Sequence, residues 1–389
     1  MIIKSILDND LYKFTMQHAV MELFPYAKAK YQFINRGSNK FPDGFADKLR
    51  NQIQEMSGLA LTRDEKEFFQ KKCYYLPPTY FDFLQGYRYD PDEVKVWQQG
   101  GDLYIEVEGY WYRTILWEVP LMALISELYF KEIGAKPWPE QKIIDVVREK
   151  AEFYNALGIT YADFGTRRRY SLENHDRVVR TLARYGKPAF VGTSNVYFAY
   201  KYNLTPIGTQ AHEWFMFHAA KYGFKVANEL ALEHWAQVFQ GSLGIALADT
   251  FTSKAFFQAF NMKLAKLFDG VRQDSGDPIE FAQMAIDHYK KLRIDPTTKT
   301  IIFSDSLNPQ RVKEIVDFAR GKIRVSFGIG TNFTNDVGVE PLNIVIKMIA
   351  AQPKDTDYWI PTIKLSDDRG KYTGDPEMIE IAKKILNIN

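Results

Sequence analysis

TIIFSDSLNPQRVKEIVDFARGKIRVSFGIGTN, residues 300–332, holds one complete repeat of the fold. Thr300-Ile-Ile-Phe-Ser304 is a short run of β-branched and aromatic residues, and it ends in Asp305-Ser306-Leu307-Asn308. From Pro309 to Arg320 the apolar residues recur at helical spacing. Ile323-Arg-Val-Ser-Phe327 is strand-like again and ends in Gly328-Ile329-Gly330-Thr331-Asn332. Two such strands joined by a helix read as a parallel pair with a crossover.

The same unit recurs upstream. Tyr161–Gly165 runs into three arginines, Ala189–Gly192 into Thr193-Ser194-Asn195, and Thr205–Gly208 into Thr209-Gln-Ala-His-Glu213. Gly244–Asp249 leads to Thr-Phe-Thr, and Phe268–Arg272 leads to Gln-Asp-Ser-Gly-Asp277. Seven strand-like runs alternating with helical stretches, of which 280–292 is another clear one, predict an α/β fold with a parallel sheet. An open doubly wound sheet would leave some strand ends far from the others. Here almost every end carries polar chemistry, so a closed or nearly closed α/β barrel with its site on the C-terminal rim is predicted.

Residues 1–130 read differently, as an α+β N-terminal domain. Asp10 to Leu23 has helical spacing, Val94 to Tyr112 alternates around Gly100-Gly101 as a hairpin, and Leu116 to Phe130 is a helix. The barrel is expected over 131–349. The tail, 350–389, offers a strand-like 358–363 and an amphipathic helix from Pro376 to Leu386, which are expected to return to the N-terminal domain.

Composition removes several function classes. A formal charge of +2 over 389 residues gives no reason to expect nucleic acid or an anionic membrane as a partner. The most apolar stretch, Thr114 to Phe130, is broken by Glu118, Pro120 and Glu127, so it is no membrane span. Residues 1–10 carry Asp8 and Asp10 and do not read as a signal peptide. The single cysteine, Cys73, fits a reducing cytoplasm and reads as a structural thiol.

Four clusters carry chemistry. Gly328, Gly330 and Thr331 follow a late strand, where glycines let backbone N–H groups approach a phosphate. Arg167, Arg168 and Arg169 follow Asp163-Phe164-Gly165; kinase loops are absent around this string, and the arginines suit phosphate or carboxylate. His212, at a strand end and opening a helix, is placed to attack phosphorus, whereas the other five histidines sit on helical stretches without such context. Arg272 and Asp274, with Asp249 and Asp305 ending the flanking strands and Thr209 and Ser304 nearby, suit ribose hydroxyls or Mg²⁺ held with phosphates. Asp277 before Pro278 is read as a helix cap.

Taken in order, Asp10-Leu-Tyr-Lys13, Phe164-Gly-Thr-Arg-Arg168, Gly208-Thr-Gln-Ala-His-Glu213, Val271-Arg-Gln-Asp-Ser-Gly-Asp-Pro278 and Phe327-Gly-Ile-Gly-Thr331 resemble the nicotinate phosphoribosyltransferase family, from about residue 7 to 350. The resemblance implies an irregular TIM-like α/β barrel. It implies transfer from phosphoribosyl pyrophosphate to nicotinate, with release of pyrophosphate, coupled to ATP hydrolysis with Mg²⁺, in NAD salvage. It also implies a homodimer with shared active sites.

Residue by residue, the resemblance implies that Phe164 and a neighbouring chain's Tyr12 sandwich the pyridine ring. His212 is the phosphorylated residue, and Arg272 lies along the ring or binds pyrophosphate. Asp274 and Asp305 hold ribose or Mg²⁺. Gly328, Gly330 and Thr331 take the 5′-phosphate. Arg167 contacts phosphate and Arg168 reaches the carboxylate. Nicotinamide-using relatives carry an Asp where Ser194 stands here, and a hydroxyl that donates favours the acid over the amide. The rival readings are nicotinamide or quinolinate as the base, or a barrel that binds a phosphorylated metabolite without turnover.

Overall fold

The computed structural model describes residues 1–354, 357–368 and 371–388. Inward and outward side chains alternate along β1 (Lys28–Asn35), β2 (Val94–Gln99) and β3 (Asp102–Tyr110). β2 and β3 form the expected hairpin, in which Gln99 faces Asp102 across the two glycines. Gly100 takes φ +55°, a left-handed turn position that favours glycine.

Six short parallel strands follow: β4 (Thr160–Asp163), β5 (Phe190–Thr193), β6 (Ile245–Leu247), β7 (Gly270–Gln273), β8 (Thr300–Phe303) and β9 (Arg324–Ile329). Their order is β5-β4-β9-β8-β7-β6. The third predicted run, Thr205–Gly208, is the exception. It makes only one parallel bridge, Thr193 to Pro206. The reason is local, since Pro206 has no N–H to donate to a ladder. On its other side the run meets β6 through side chains, with Thr209 Oγ1 3.3 Å and Gln210 Nε2 3.1 Å from the Ile245 carbonyl. The barrel is therefore irregular, with one seam closed by side chains.

β10 (Ile344–Gln352) leaves the barrel and pairs antiparallel with β1 along its whole length. The expected boundary at 349 falls inside this strand. β11 (Ile360–Pro361) adds to its far edge, so the N-terminal sheet runs β11-β10-β1-β3-β2. The strand-like stretch 358–363 shortens to these two residues, again at a proline. The final helix, Pro376–Leu386, forms over the expected residues but rests on the helix Phe224–Phe239 of the barrel region, whereas of the tail it is β11 that joins the N-terminal sheet.

Two helices join the layers. Glu118–Glu132 is apolar on nearly every side, and its residues 118–130 are all buried. Leu11–Leu23 buries Lys13, Thr15 and Gln17 together with its apolar residues. Lys13 is tolerated there because Glu118 lies 2.6 Å away and Glu213 also contacts its ammonium. Asp277 caps the helix Pro278–Lys291 through the N–H groups of Ile279 and Glu280, as expected.

Cys73 is buried, accepts from the Tyr75 hydroxyl at 3.2 Å, and has its thiol pushed up to about 12 by burial. The native protein is therefore expected to give no thiol reaction with a disulfide reagent at pH 8, and one equivalent after unfolding. Among the described residues no helix is long and apolar enough to cross a membrane.

Candidate active site

The ends of β4 and β9 are tied together before any ligand arrives. The Phe164 N–H donates to the Ile329 carbonyl at 2.8 Å, and the Thr334 hydroxyl donates to the Gly165 carbonyl at 2.8 Å. Asp163, the acid of the Asp-Phe-Gly string, is fully buried. It pairs with His175 at 2.7 Å and accepts from Thr193 at 2.7 Å and from the Gly165 N–H at 2.9 Å. It shapes the loop and does not face a ligand.

Above this platform opens a polar cavity of about 630 Å³, walled by Arg167, Arg168, Asp274, Asp305, Gly330 and Thr331 among others. Phe164, Arg272 and Ser304 also line it. Burial and the neighbouring Arg167 lower Arg168 to about 10, so it stays charged at neutral pH. Asp305 is raised by burial against the pull of Lys371, 3.1 Å away. Gly328 is not part of the wall. A Cβ there would overlap the Phe164 ring, so this glycine makes room for the aromatic and does not approach a phosphate itself.

A second, apolar cavity of about 340 Å³ lies on the other side of Phe164 and holds Tyr12, Ser194 and Thr209 on its walls. Tyr12 comes from the same chain as Phe164, against the expectation that a neighbour supplies it. The N-terminal segment is fastened to its own barrel by the Leu11 N–H on the Ser194 carbonyl at 2.8 Å and by the bridge from Asp10 to Asn195. Ser194 also departs from its expected role. Its hydroxyl donates to Asp10 Oδ1 at 2.7 Å, so its one proton is spent inside the protein and a carboxylate is present at that wall after all. The cations facing this cavity are Arg167, Arg272 and Lys72.

Between the two cavities lies a small pocket that contains His212, Arg167, Arg272 and Asp274. His212 Nε2 is 3.0 Å from Asp249 Oδ1 and 3.7 Å from Asp274 Oδ2. Burial, with the Lys364 ammonium nearby, holds its pKa down to about 4 against the pull of Asp249. His212 is thus neutral; its Nε2–H donates to Asp249, and the Nδ1 lone pair is left free. Asp249 is fully buried behind it, and although burial opposes its ionisation, Lys364 and His212 keep it anionic.

Burial opposes the ionisation of Asp274, and Arg272 together with the other positive groups nearby, Lys364 among them, holds it down to about 2. It accepts from Ser304 at 2.6 Å and pairs with Arg272 at 3.2 Å. His212, Asp249 and Asp274 bring their ligand atoms within 4.8 Å of one another. They do not suit a metal ion, because an ammonium, a guanidinium and two hydroxyls already satisfy these carboxylates. Asp305 lines the polar cavity and is paired there with the Lys371 ammonium, so a cation arriving with phosphate oxygens would have to displace that lysine.

Of the three consecutive arginines, Arg169 binds nothing on the rim. Both its Nη atoms meet the Asp8 carboxylate, at 2.7 and 2.8 Å, and neither side chain is exposed. Apart from Gly328, the other predicted residues line these spaces or, like Asp249, stand behind His212, and Arg167 and Arg272 line all three. Sequence reading missed Asp10, Glu118, Lys347 and Lys364. The lysines stand alone in β10 and the tail with no motif around them; Asp10 lay inside a quoted motif and was still passed over.

The fold and this rim define a barrel enzyme of the phosphoribosyl-transferring class. The profile described as the nicotinate phosphoribosyltransferase (NAPRTase) family matches residues 159–389, and that of its N-terminal domain matches residues 7–126. The nicotinate phosphoribosyltransferase of Chromohalobacter salexigens is 58% identical over 389 residues, covering 100% of this chain and 99% of that protein. That of Desulforapulum autotrophicum is 51% identical, with 99% of each chain covered. A crystal structure of nicotinate phosphoribosyltransferase from Porphyromonas gingivalis superposes with a TM-score of 0.97 at 49% identity, covering 100% of both chains. The chain belongs to the nicotinate phosphoribosyltransferase family.

Proposed function

We propose that this chain joins nicotinate to the phosphoribosyl group of phosphoribosyl pyrophosphate, forming nicotinate mononucleotide and pyrophosphate in NAD salvage, and that His212 couples the reaction to ATP. The observation that carries the reading is the shared wall: Arg167 and Arg272 each face the polar cavity, the ring cavity and the histidine pocket. A sugar phosphate, a flat anion and a phosphorylated histidine would then share two fixed cations.

In this reading Tyr12 and Phe164 hold the ring, and Arg167 meets its carboxylate. The ring nitrogen's lone pair forms the new bond to the sugar C1 as the bond to the pyrophosphate oxygen breaks. The nitrogen carries no proton, so no general base is required. Arg272 and Arg168 stabilise the negative charge that develops on the leaving pyrophosphate. Asp305 is the group suited to Mg²⁺, which supplies further charge neutralisation on the phosphates when bound. His212 Nδ1 accepts the γ-phosphoryl group of ATP as its bond to ADP breaks, and water later hydrolyses the phosphoramidate.

The coupling is tested with labelled ATP. Acid-labile, base-stable label is expected on the wild type and none above background on His212→Ala; equal labelling of the variant would remove His212 from the scheme. Gly328→Ala tests the ring slot. Displacing Phe164 is expected to raise KM for nicotinate about 10- to 100-fold in steady-state assays, in line with the cost of ångström-scale misplacement. The homodimer and the cytoplasmic setting stay within this proposal, with each chain carrying its own Tyr12; sedimentation velocity reads the former.

A further inference from the structure

The tail crosses the rim before its last helix. Thr362 is bonded to β10, with its N–H on the Ile349 carbonyl at 2.9 Å. Lys364 and Thr373 then pair with each other through both backbone groups, at 2.9 and 3.0 Å. The Leu365 N–H reaches the Thr250 carbonyl at 2.9 Å, just past β6. Asp367 accepts from the Ser253 N–H at 2.8 Å and from its hydroxyl at 2.5 Å, and the Asp367 N–H reaches the Ser275 hydroxyl at 3.1 Å, past β7. Four anchors on two strand ends fix the backbone that carries Lys364.

The Lys364 side chain runs inward and is only 7% exposed. Its Nζ lies 3.2 Å from Asp249 Oδ2, the oxygen that also accepts from Ser275 at 2.5 Å. Asp249 Oδ1 is left to His212 Nε2 at 3.0 Å. A buried carboxylate facing a lone imidazole draws a second proton onto the ring, and an imidazolium has no lone pair with which to attack phosphorus. An ammonium on the carboxylate's other oxygen removes that pull.

We infer that Lys364 is a positioning residue for His212: by neutralising and orienting Asp249 from the C-terminal strap, it keeps the imidazole uncharged with Nδ1 free to take a phosphoryl group. The inference rests on the reading of His212 as phosphoryl acceptor. The low pKa of His212 agrees with it, burial being the largest cause and Lys364 the next. The other charged groups around the imidazole are Asp274 and Arg272 from the end of β7. Arg167, Glu118 and Lys347 line the same pocket, as does Glu213, which is paired with Lys13. None of these other groups touches Asp249 Oδ2 among the described residues.

The test uses the full chain with ¹⁵N-labelled histidine. In the wild type His212 is expected to stay neutral, protonated on Nε2, down to about pH 5. In Lys364→Met its titration is expected to move up by about one pH unit or more. Labelling from γ-labelled ATP should then fall by about half between pH 8 and pH 5 in this variant, while the wild type keeps about nine-tenths of its label. Lys364→Arg keeps a cation on Asp249 and should restore both readouts. A His212 titration unchanged in Lys364→Met, or a label lost equally at every pH, overturns the inference. Should the methionine variant fold poorly, Lys364→Gln is read by the same criteria. Absence of label on the wild type would instead defeat the phosphohistidine reading, and the NMR titration would still judge Lys364.

Discussion

Arg272→Ala is expected to lower kcat/KM by about a thousandfold, or roughly 4 kcal/mol of transition-state stabilisation, the upper range for one preorganised charge at a reacting centre. The side chain is fixed on three sides. Its Nε donates to Ser304 at 2.9 Å, one Nη reaches the Gln210 carbonyl at 3.2 Å, and the other sits 3.2 Å from Asp274. A guanidinium held this way does not have to reorganise as charge moves from the C1–O bond onto pyrophosphate. The same atoms also hold Ser304 and Asp274 in register, so part of the loss comes through them. Arg272→Lys is expected to recover less than a tenth of the activity, because an ammonium cannot make the three contacts of a planar fork. Steady-state kinetics with nicotinate and phosphoribosyl pyrophosphate read both; a loss below tenfold in the alanine variant would place the transition-state charge elsewhere.

Arg169→Met is expected to destabilise the folded chain by about 3–5 kcal/mol, the cost of leaving one partner of a buried ion pair alone. Asp8 and Arg169 are both fully buried, and Asp8 also accepts from Asn195 Nδ2 at 2.8 Å. The pair joins the N-terminal segment to the ends of β4 and β5, so its loss loosens the frame around Tyr12 and Phe164. Adding Asp8→Asn to Arg169→Met removes the stranded charge and is expected to recover part of the loss. Urea unfolding of the three variants measures the effect, and additive single and double effects would contradict it. The contrast with Arg167 and Arg168 is instructive: three adjacent arginines perform two different jobs.

The barrel was legible because strands buried on both faces write themselves as short apolar runs closed by glycine and polar residues. Six of the seven runs became strands. The seventh carried its own contrary signal in Pro206, whose missing N–H limits the run to one bridge. The pairing of β10 with β1 was not legible, since partners separated by some 300 residues leave no local mark. Among the site candidates, Arg272, Asp274, Asp305 and Gly330 could be picked out because they stand at or just past the ends of β7, β8 and β9, and His212 because it opens a helix after Gly208-Thr-Gln-Ala211. Gly328 and Ser194 were readable as positions but not as roles, because a glycine that admits a ring and one that admits a phosphate look alike in sequence. Likewise, nothing near Ser194 announces that its proton goes to Asp10. Lys364 lies beyond the last barrel strand and enters the rim only because the tail folds back.

One chain gathers a polar cavity, a ring slot and an uncharged histidine around Arg167 and Arg272. A crystal structure with nicotinate mononucleotide tests it most directly. The expected result is a 5′-phosphate beside Gly330 and Thr331 and a pyridine ring between Tyr12 and Phe164 of the same chain, with its carboxylate on Arg167. A nucleotide bound away from Arg272, or a ring stacked on a second chain's Tyr12, would contradict the account.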